Sequence, residues 1–290
     1  MTSIKSTADI SEPVARLLDD FSLEMTGKDV AELHEAAPLL PAGTRVNITY
    51  LAGEEMATRV AAATTVRQLQ LTPVPHVSAR RLHSEQQLTE FLAELQQVGA
   101  SEHIFAVGGD PAQPEGPYED SLAVIHGGAL KAHGAIEVNI AGYPEGHPEI
   151  ATEVLWRALL DKQAELELQE LAGTILTQFA FDADGVLNWI GEVRARGVWL
   201  PIRIGVPGPA GVKRLLAYAK RFGVGSSTGI ARKYGLSLTN LMKTTGPDRF
   251  IRSLAAGLDD EQHGEVKLHF YTFGGLTATA TWIHDFQQER

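Results

Sequence analysis

Two hydrophobic periods alternate along this chain. Short β-branched and aromatic runs are followed by longer segments in which apolar residues return every three or four positions. Residues 1–13 are polar and small and read as a loose tail. A short helix over Val14–Asp20 leads in, so 1–20 forms a lead-in and 21–290 the folded domain. Strands are expected at Phe21–Met25, Arg45–Leu51, Leu69–Ser78, His103–Val107, Ala135–Gly142, Thr174–Phe181, Leu200–Val206 and Val266–Phe273. Between them the helical period covers Asp29–Leu40, Glu54–Arg67, Ser84–Val98 (Ser84 as N-cap), about Tyr118 to His133, Pro148 towards Leu171, Asp184–Arg196, Pro209–Phe222 and Thr277–Phe286. Gly223–Gly257 reads as short helices and loops. Eight strand–helix alternations in 290 residues predict a parallel sheet closed as a single-domain (β/α)8 barrel rather than an open doubly wound sheet.

In such a barrel the chemistry lies at the carboxyl ends of the strands. The polar residues falling there are Glu24, Thr49, His76, Asp110, Tyr143 with His147, Gln178, and Tyr271 with Thr272. The loop Ala141–Pro148 (AGYPEGHP) carries a tyrosine, a carboxylate and an imidazole on a backbone stiffened by proline, which marks it as part of a site. His147 and Glu149 lack a third ligand at sensible spacing, so no metal site is expected.

Composition narrows the partners. A net charge of −11 argues against nucleic acid or an anionic membrane as the main partner, because both are bound through Lys and Arg. Cysteine is absent, which removes disulfides, thiolate metal sites and cysteine nucleophiles. No signal-peptide core or membrane-length apolar run occurs, so a soluble cytoplasmic protein is expected. A homo-oligomer is compatible with the sequence but is not read from it. The glycine-rich stretches Gly205–Gly211 and Gly223–Gly229 have neither dinucleotide-fingerprint nor P-loop spacing.

Taken in order, Ser22–Glu24, Val46–Tyr50, Pro75-His76, Gly109-Asp110, Tyr143–Pro148, Thr177–Asp182 and His269–Thr272 resemble the methylenetetrahydrofolate reductase family of flavin-containing (β/α)8 barrels, over about Phe21 to Phe286. The resemblance implies reduction of 5,10-methylenetetrahydrofolate to 5-methyltetrahydrofolate, with FAD relaying hydride from NADH or NADPH. It makes Glu24 the proton donor. Asp110 takes a pterin amide edge and tunes the flavin. Gln178 and Tyr218 hold the folate, and Thr49, His76, Gly109, Asp110, Tyr118, Ala141, Tyr143, His147 and Lys162 hold FAD. His147, just before the long helix, is placed to lead phosphate or ribose to its N–H groups.

Read without the resemblance, each residue has a plainer role: Glu24 paired with a base, Asp110 in a turn, Gln178 bonded to backbone, Tyr218 in packing, His147 capping its own loop. The acid role needs a carboxyl whose pKa is raised by partial burial. The chain also departs from the family pattern. Met25–Lys28 replaces bulky and proline residues, Gly108 stands where relatives often place arginine, Gly274-Gly275 follows the last strand, and Lys162 alone remains near the phosphate-binding lysines. These departures remove positive charge from the FAD region and leave the folate residues untouched. A flavin-independent reductase, or a folate barrel for non-redox one-carbon transfer, stand as alternatives.

Overall fold

A parallel strand sandwiched between helices and a filled barrel has both faces dry, so it must be apolar almost throughout. The strands meet that demand. In the computed structural model, which describes residues 11–221 and 244–288, the segments β1 (Ser22–Thr26), β2 (Arg45–Thr49), β3 (Thr72–Ser78), β4 (His103–Val107), β5 (Glu137–Gly142), β6 (Ala172–Phe179), β7 (Ile202–Pro207) and β8 (Val266–Tyr271) are largely buried. They pair in parallel and in chain order, and β8 closes on β1, giving one closed barrel. The expected (β/α)8 architecture is the one observed.

Helices cover the outside. Ser84 caps its helix as expected, its Oγ accepting from Gln87 N at 3.1 Å. The helix expected over Tyr118–His133 is instead two short ones, Ser121–His126 and Ala129–Ala132, because Gly128 takes the left-handed conformation (φ 71°) between them. The long helix begins at Thr152 rather than Pro148 and runs to Leu168. A two-stranded ribbon, Ala210–Gly211 with Thr244–Thr245, was not anticipated. Much of the expected loop and helix region Gly223–Gly257 lies outside the described residues; within it, Asp248–Gly257 is helical. No described helix is long and apolar enough to cross a membrane.

Alternate residues of each strand point inward, so the barrel interior is built in layers. At the amino-terminal end the layer is ionic. Arg45 lies 3.0 Å and His103 3.1 Å from Glu137, and Thr174 Oγ1 donates to it at 2.7 Å. Arg203 meets Asp20 at 2.6 Å. Above this, Val74, Phe105 and Leu176 form a small apolar cluster inside the barrel, joined by Val107, Ala141 and Tyr271. The outer face of the strands packs into the much larger cluster shared with the helices.

Burial pushes the Glu137 carboxyl up, but His103, Arg45 and Thr174 outweigh it and hold it down to about 2. A folded value below the unfolded one contributes stability above the unfolded carboxylate pKa and loses it as pH falls towards the folded value. Urea unfolding of the wild type should therefore lose on the order of 2–3 kcal/mol between about pH 5 and pH 2 through this group. Glu137→Gln should be less stable at neutral pH and flatter across that window. A variant that keeps the wild-type slope would remove Glu137 as its source.

Candidate active site at the barrel mouth

Sequence parity fixes who meets whom. Ser22 and Glu24 are two apart on β1, Asn47 and Thr49 on β2, and His269 and Tyr271 on β8, so each pair shares the inward face. The imidazole of His269 is fully buried. Its Nδ1 lies 2.9 Å from Ser22 Oγ and 3.2 Å from the Asn47 amide nitrogen, while its Nε2 lies 3.6 Å from Glu24 Oε2. With the amide so oriented, Asn47 can only donate; Nδ1 accepts, and the ring proton sits on Nε2 facing the carboxylate. Thr272 Oγ1 donates to the Glu24 carbonyl at 2.8 Å and ties β1 to the end of β8.

The electrostatics overturn one expectation. Burial alone would raise Glu24, but His269, His76 and Thr49 act against it, and its carboxyl lies below the ordinary value. In the resting barrel Glu24 is a carboxylate, not a proton-loaded acid. His76 is pushed down to about 4, first by burial and against the pull of Glu24, so it is neutral near pH 7. It packs edge-on to Phe105 with ring centres 4.8 Å apart, and its Nε2 is buried without a hydrogen-bond partner among the described residues. Tyr271, raised well above its usual value by burial, donates to the Thr177 carbonyl at 3.0 Å. A Cβ at Gly205 would lie 2.5 Å from the Thr177 carbonyl oxygen, 2.7 Å from the Tyr271 ring and 2.8 Å from Phe179 N, which explains the glycine there.

Gln178 lies where β6 slips register on β7 between Leu176 and Phe179; it is half-buried, and its amide makes no hydrogen bond among the described residues. Tyr143 packs edge-on to His147 at 5.4 Å, and its hydroxyl is within electrostatic reach of Tyr271. Tyr218 stacks on Phe273 at 4.0 Å, and Phe273 on Tyr271, forming an aromatic ladder beside the mouth. Glu24, Thr49, His76, Ala141, Tyr143 and Tyr271 thus converge at one end of the barrel.

The remaining expected residues are held by contacts of their own. Asp110 is 73% exposed and held by Arg81 at 2.6 Å. Gly109 needs its positive φ of 95° to turn the chain there. His147 accepts from Glu149 N at 3.2 Å, which is the local capping role, and four residues separate it from the long helix, so it does not open that helix. Tyr118 is 8% exposed within the apolar core, and Lys162 is 8% exposed within the long helix, its pKa lowered by burial against the pull of Asp120. Neither offers a surface to adenosine or phosphate. Arg80 and Arg81, in the turn after β3, were not among the expected residues and bring charge back to this region. Both are engaged, Arg80 by Glu119 and Arg81 by Asp110 and Glu115. The mouth residues, with the His76 Nε2 left without a partner among the described residues, suit a flat heteroaromatic ring; of the basic residues near the route implied for the FAD pyrophosphate, Lys162 is buried and Arg80 and Arg81 are paired with carboxylates. No described group of His, Asp or Glu could hold a metal.

A buried Glu–His pair at the carboxyl end of a closed parallel barrel defines a barrel enzyme site of the (β/α)8 class. The methylenetetrahydrofolate reductase family model matches residues 20–284, and the chain belongs to that family. It is 30% identical to the 5,10-methylenetetrahydrofolate reductase of Pectobacterium carotovorum subsp. carotovorum over 183 residues, 60% of this chain and 57% of that one. It is also 30% identical to methylenetetrahydrofolate reductase 2 of Saccharomyces cerevisiae over 134 residues, 41% of this chain and 20% of the yeast protein. The matches thus span little more than half of the bacterial relative and a fifth of the yeast one. Among solved structures, an uncharacterized protein from Clostridium thermocellum that binds two copies of 5-methyl-5,6,7,8-tetrahydrofolic acid shares the fold, with a TM-score of 0.65 at 11% identity over 95% of this chain and 97% of that one.

His269 is the missed residue that matters most, and its signal was present: two positions before Tyr271 on a strand, it had to share that residue's face. Replacing it with leucine removes the largest influence holding Glu24 down. The Glu24 carboxyl should then titrate higher than in the wild type, read by ¹³C-carboxyl NMR against Glu24→Gln for assignment. An unchanged titration would break the proposed pairing.

Proposed function

We propose that the chain reduces 5,10-methylenetetrahydrofolate to 5-methyltetrahydrofolate with hydride from NADH or NADPH. The observation that carries this is the Glu24 carboxylate, 21% exposed at the barrel mouth and backed by a buried imidazole. Family membership and the folate-bound barrel that shares the fold support the substrate class.

Opening the five-membered ring requires a proton on one of its nitrogens; the C–N bond then breaks and leaves an iminium carbon that accepts hydride. Glu24 gives the proton. A pterin over the mouth displaces water from the carboxylate, and that added desolvation favours its protonated form, so the acid is loaded by substrate binding. His269, held by Ser22 and Asn47, keeps the carboxylate aimed while this happens. Gln178 offers both donor and acceptor to the heterocycle edge. Tyr143 and the His76 ring form the apolar-faced wall of the same space.

The family relationship also implies FAD as a hydride relay. The mouth suits a flavin ring, but the engaged arginines and the buried Tyr118 and Lys162 do not suit its pyrophosphate, and this favours direct transfer from the nicotinamide. The absorbance spectrum of the purified protein tests the point. Colourless protein that oxidises NADH or NADPH with methylenetetrahydrofolate supports direct transfer. A flavin spectrum bleached by nicotinamide and restored by folate establishes the relay.

Glu24→Gln should lower kcat by about 10²–10⁴-fold, the usual worth of a general acid, with little change in KM for folate. Full activity in that variant would remove Glu24 from the chemistry.

A further inference from the structure

A small recess of about 10 Å³ lies between the end of β3 and the helices Met56–Gln68 and Glu85–Gln97. That is room for about one water molecule or one ion of similar size. Tyr50, Arg59, Arg81, Gln87 and Phe91 are among its walls.

Arg59 is the unusual member. It is 7% exposed, and its guanidinium lies over the Tyr50 ring at 4.1 Å and over the Phe91 ring at 4.3 Å. Rings attract such a charge without neutralising it. Its Nη1 donates to the His76 carbonyl at 3.3 Å, while its Nε is buried without a hydrogen-bond partner among the described residues. Glu54 attracts it through space, but the carboxylate makes no ion pair with it among the described residues and accepts instead from Leu51 N at 3.4 Å.

The surroundings add positive charge and a second donor. Arg81 brings another guanidinium to 5.5 Å from the same Tyr50 ring, but it is matched by Asp110 at 2.6 Å and Glu115 at 3.9 Å. Gln87 Oε1 accepts from His83 N at 2.7 Å, so the other end of its amide is the donor end. A buried charge is costly unless it is paired and hydrogen-bonded, and Arg59 lacks the pair.

We propose that the recess binds a small inorganic anion of halide size, held by the Arg59 guanidinium and the Gln87 amide. The volume is too small for a phosphate ester. Because Arg59 also holds the His76 carbonyl, the anion steadies the end of β3, the strand that carries His76 to the mouth.

Chloride is the probe. The full chain should broaden the ³⁵Cl NMR line, and Arg59→Met should lose that broadening. Gln87→Glu keeps an acceptor for His83 N and puts a fixed carboxylate beside the recess, so it should lose the broadening as well. Thermal unfolding in sodium chloride and in sodium gluconate at equal ionic strength gives a second reading, with screening held constant. The midpoint gain from chloride over gluconate should be larger in the wild type than in Gln87→Glu by about 2 °C or more. In gluconate, Gln87→Glu should itself melt higher than the wild type. A wild type that leaves the ³⁵Cl line sharp would mean that water, not an anion, fills the recess, and would overturn the proposal. Broadening and chloride gain that survive undiminished in Gln87→Glu would overturn it too, by placing the ion elsewhere. That variant decides the matter even where Arg59→Met does not fold.

Discussion

A carboxylate inside a barrel must be paired or lose its charge, because water there is scarce and an unpartnered ion is costly. Here the partner of Glu24 is an imidazole with no exposure of its own, and much of the mouth follows from that contact. His269 must be buried to hold Glu24, so its second nitrogen needs Ser22 and Asn47. Those residues occupy inward positions of β1 and β2 that an apolar side chain would otherwise take. Tyr271 then follows at the next inward position of β8, and its ring together with the β6 backbone leaves room only for a glycine at 205.

The two ends of the barrel treat charge differently, and the difference separates stability from chemistry. At the amino-terminal end Glu137 is met by Arg45, His103 and Thr174, and its partners leave it little freedom. At the mouth the balance around Glu24 is closer, with burial opposing two histidines and a hydroxyl. A ligand that adds desolvation can tip such a balance. Buried polar atoms without a hydrogen-bond partner among the described residues, such as the His76 Nε2 and the Thr49 hydroxyl, are found at this end as well. A fold optimised only for stability would have satisfied them.

The strand-to-helix loop at 141–148 lies between two spaces. Tyr143 packs against His147, while Gly142 lets the edge of the Trp189 ring approach the backbone. His147 caps the loop locally and stiffens it rather than opening the helix that follows. The loop is thus a shared wall between the barrel interior and the helical layer, which explains why it combines small residues with an aromatic and a carboxylate.

Local periodicity was enough to place every barrel strand and to predict closure, because burial of both faces leaves a signature in each strand separately. Glu24, Thr49, His76 and Tyr143 were legible for the same reason: each lies in the last three residues of a strand or just after it, and strand ends meet in this architecture. What pairs across the barrel was not legible. The sequence spacing between Glu24 and His269, or between Arg81 and Asp110, says nothing about contact, and only closure of β8 on β1 and the approach of the β3 and β4 loops bring them together. Burial of Tyr118 and Lys162 likewise depends on how helices pack, not on their own neighbours in the chain. The pKa of Glu24 is the clearest case. The sequence by itself determined that a carboxylate would stand at the end of β1, but its direction of shift is a difference between burial and partners contributed by other strands. That difference exists only once the barrel has closed.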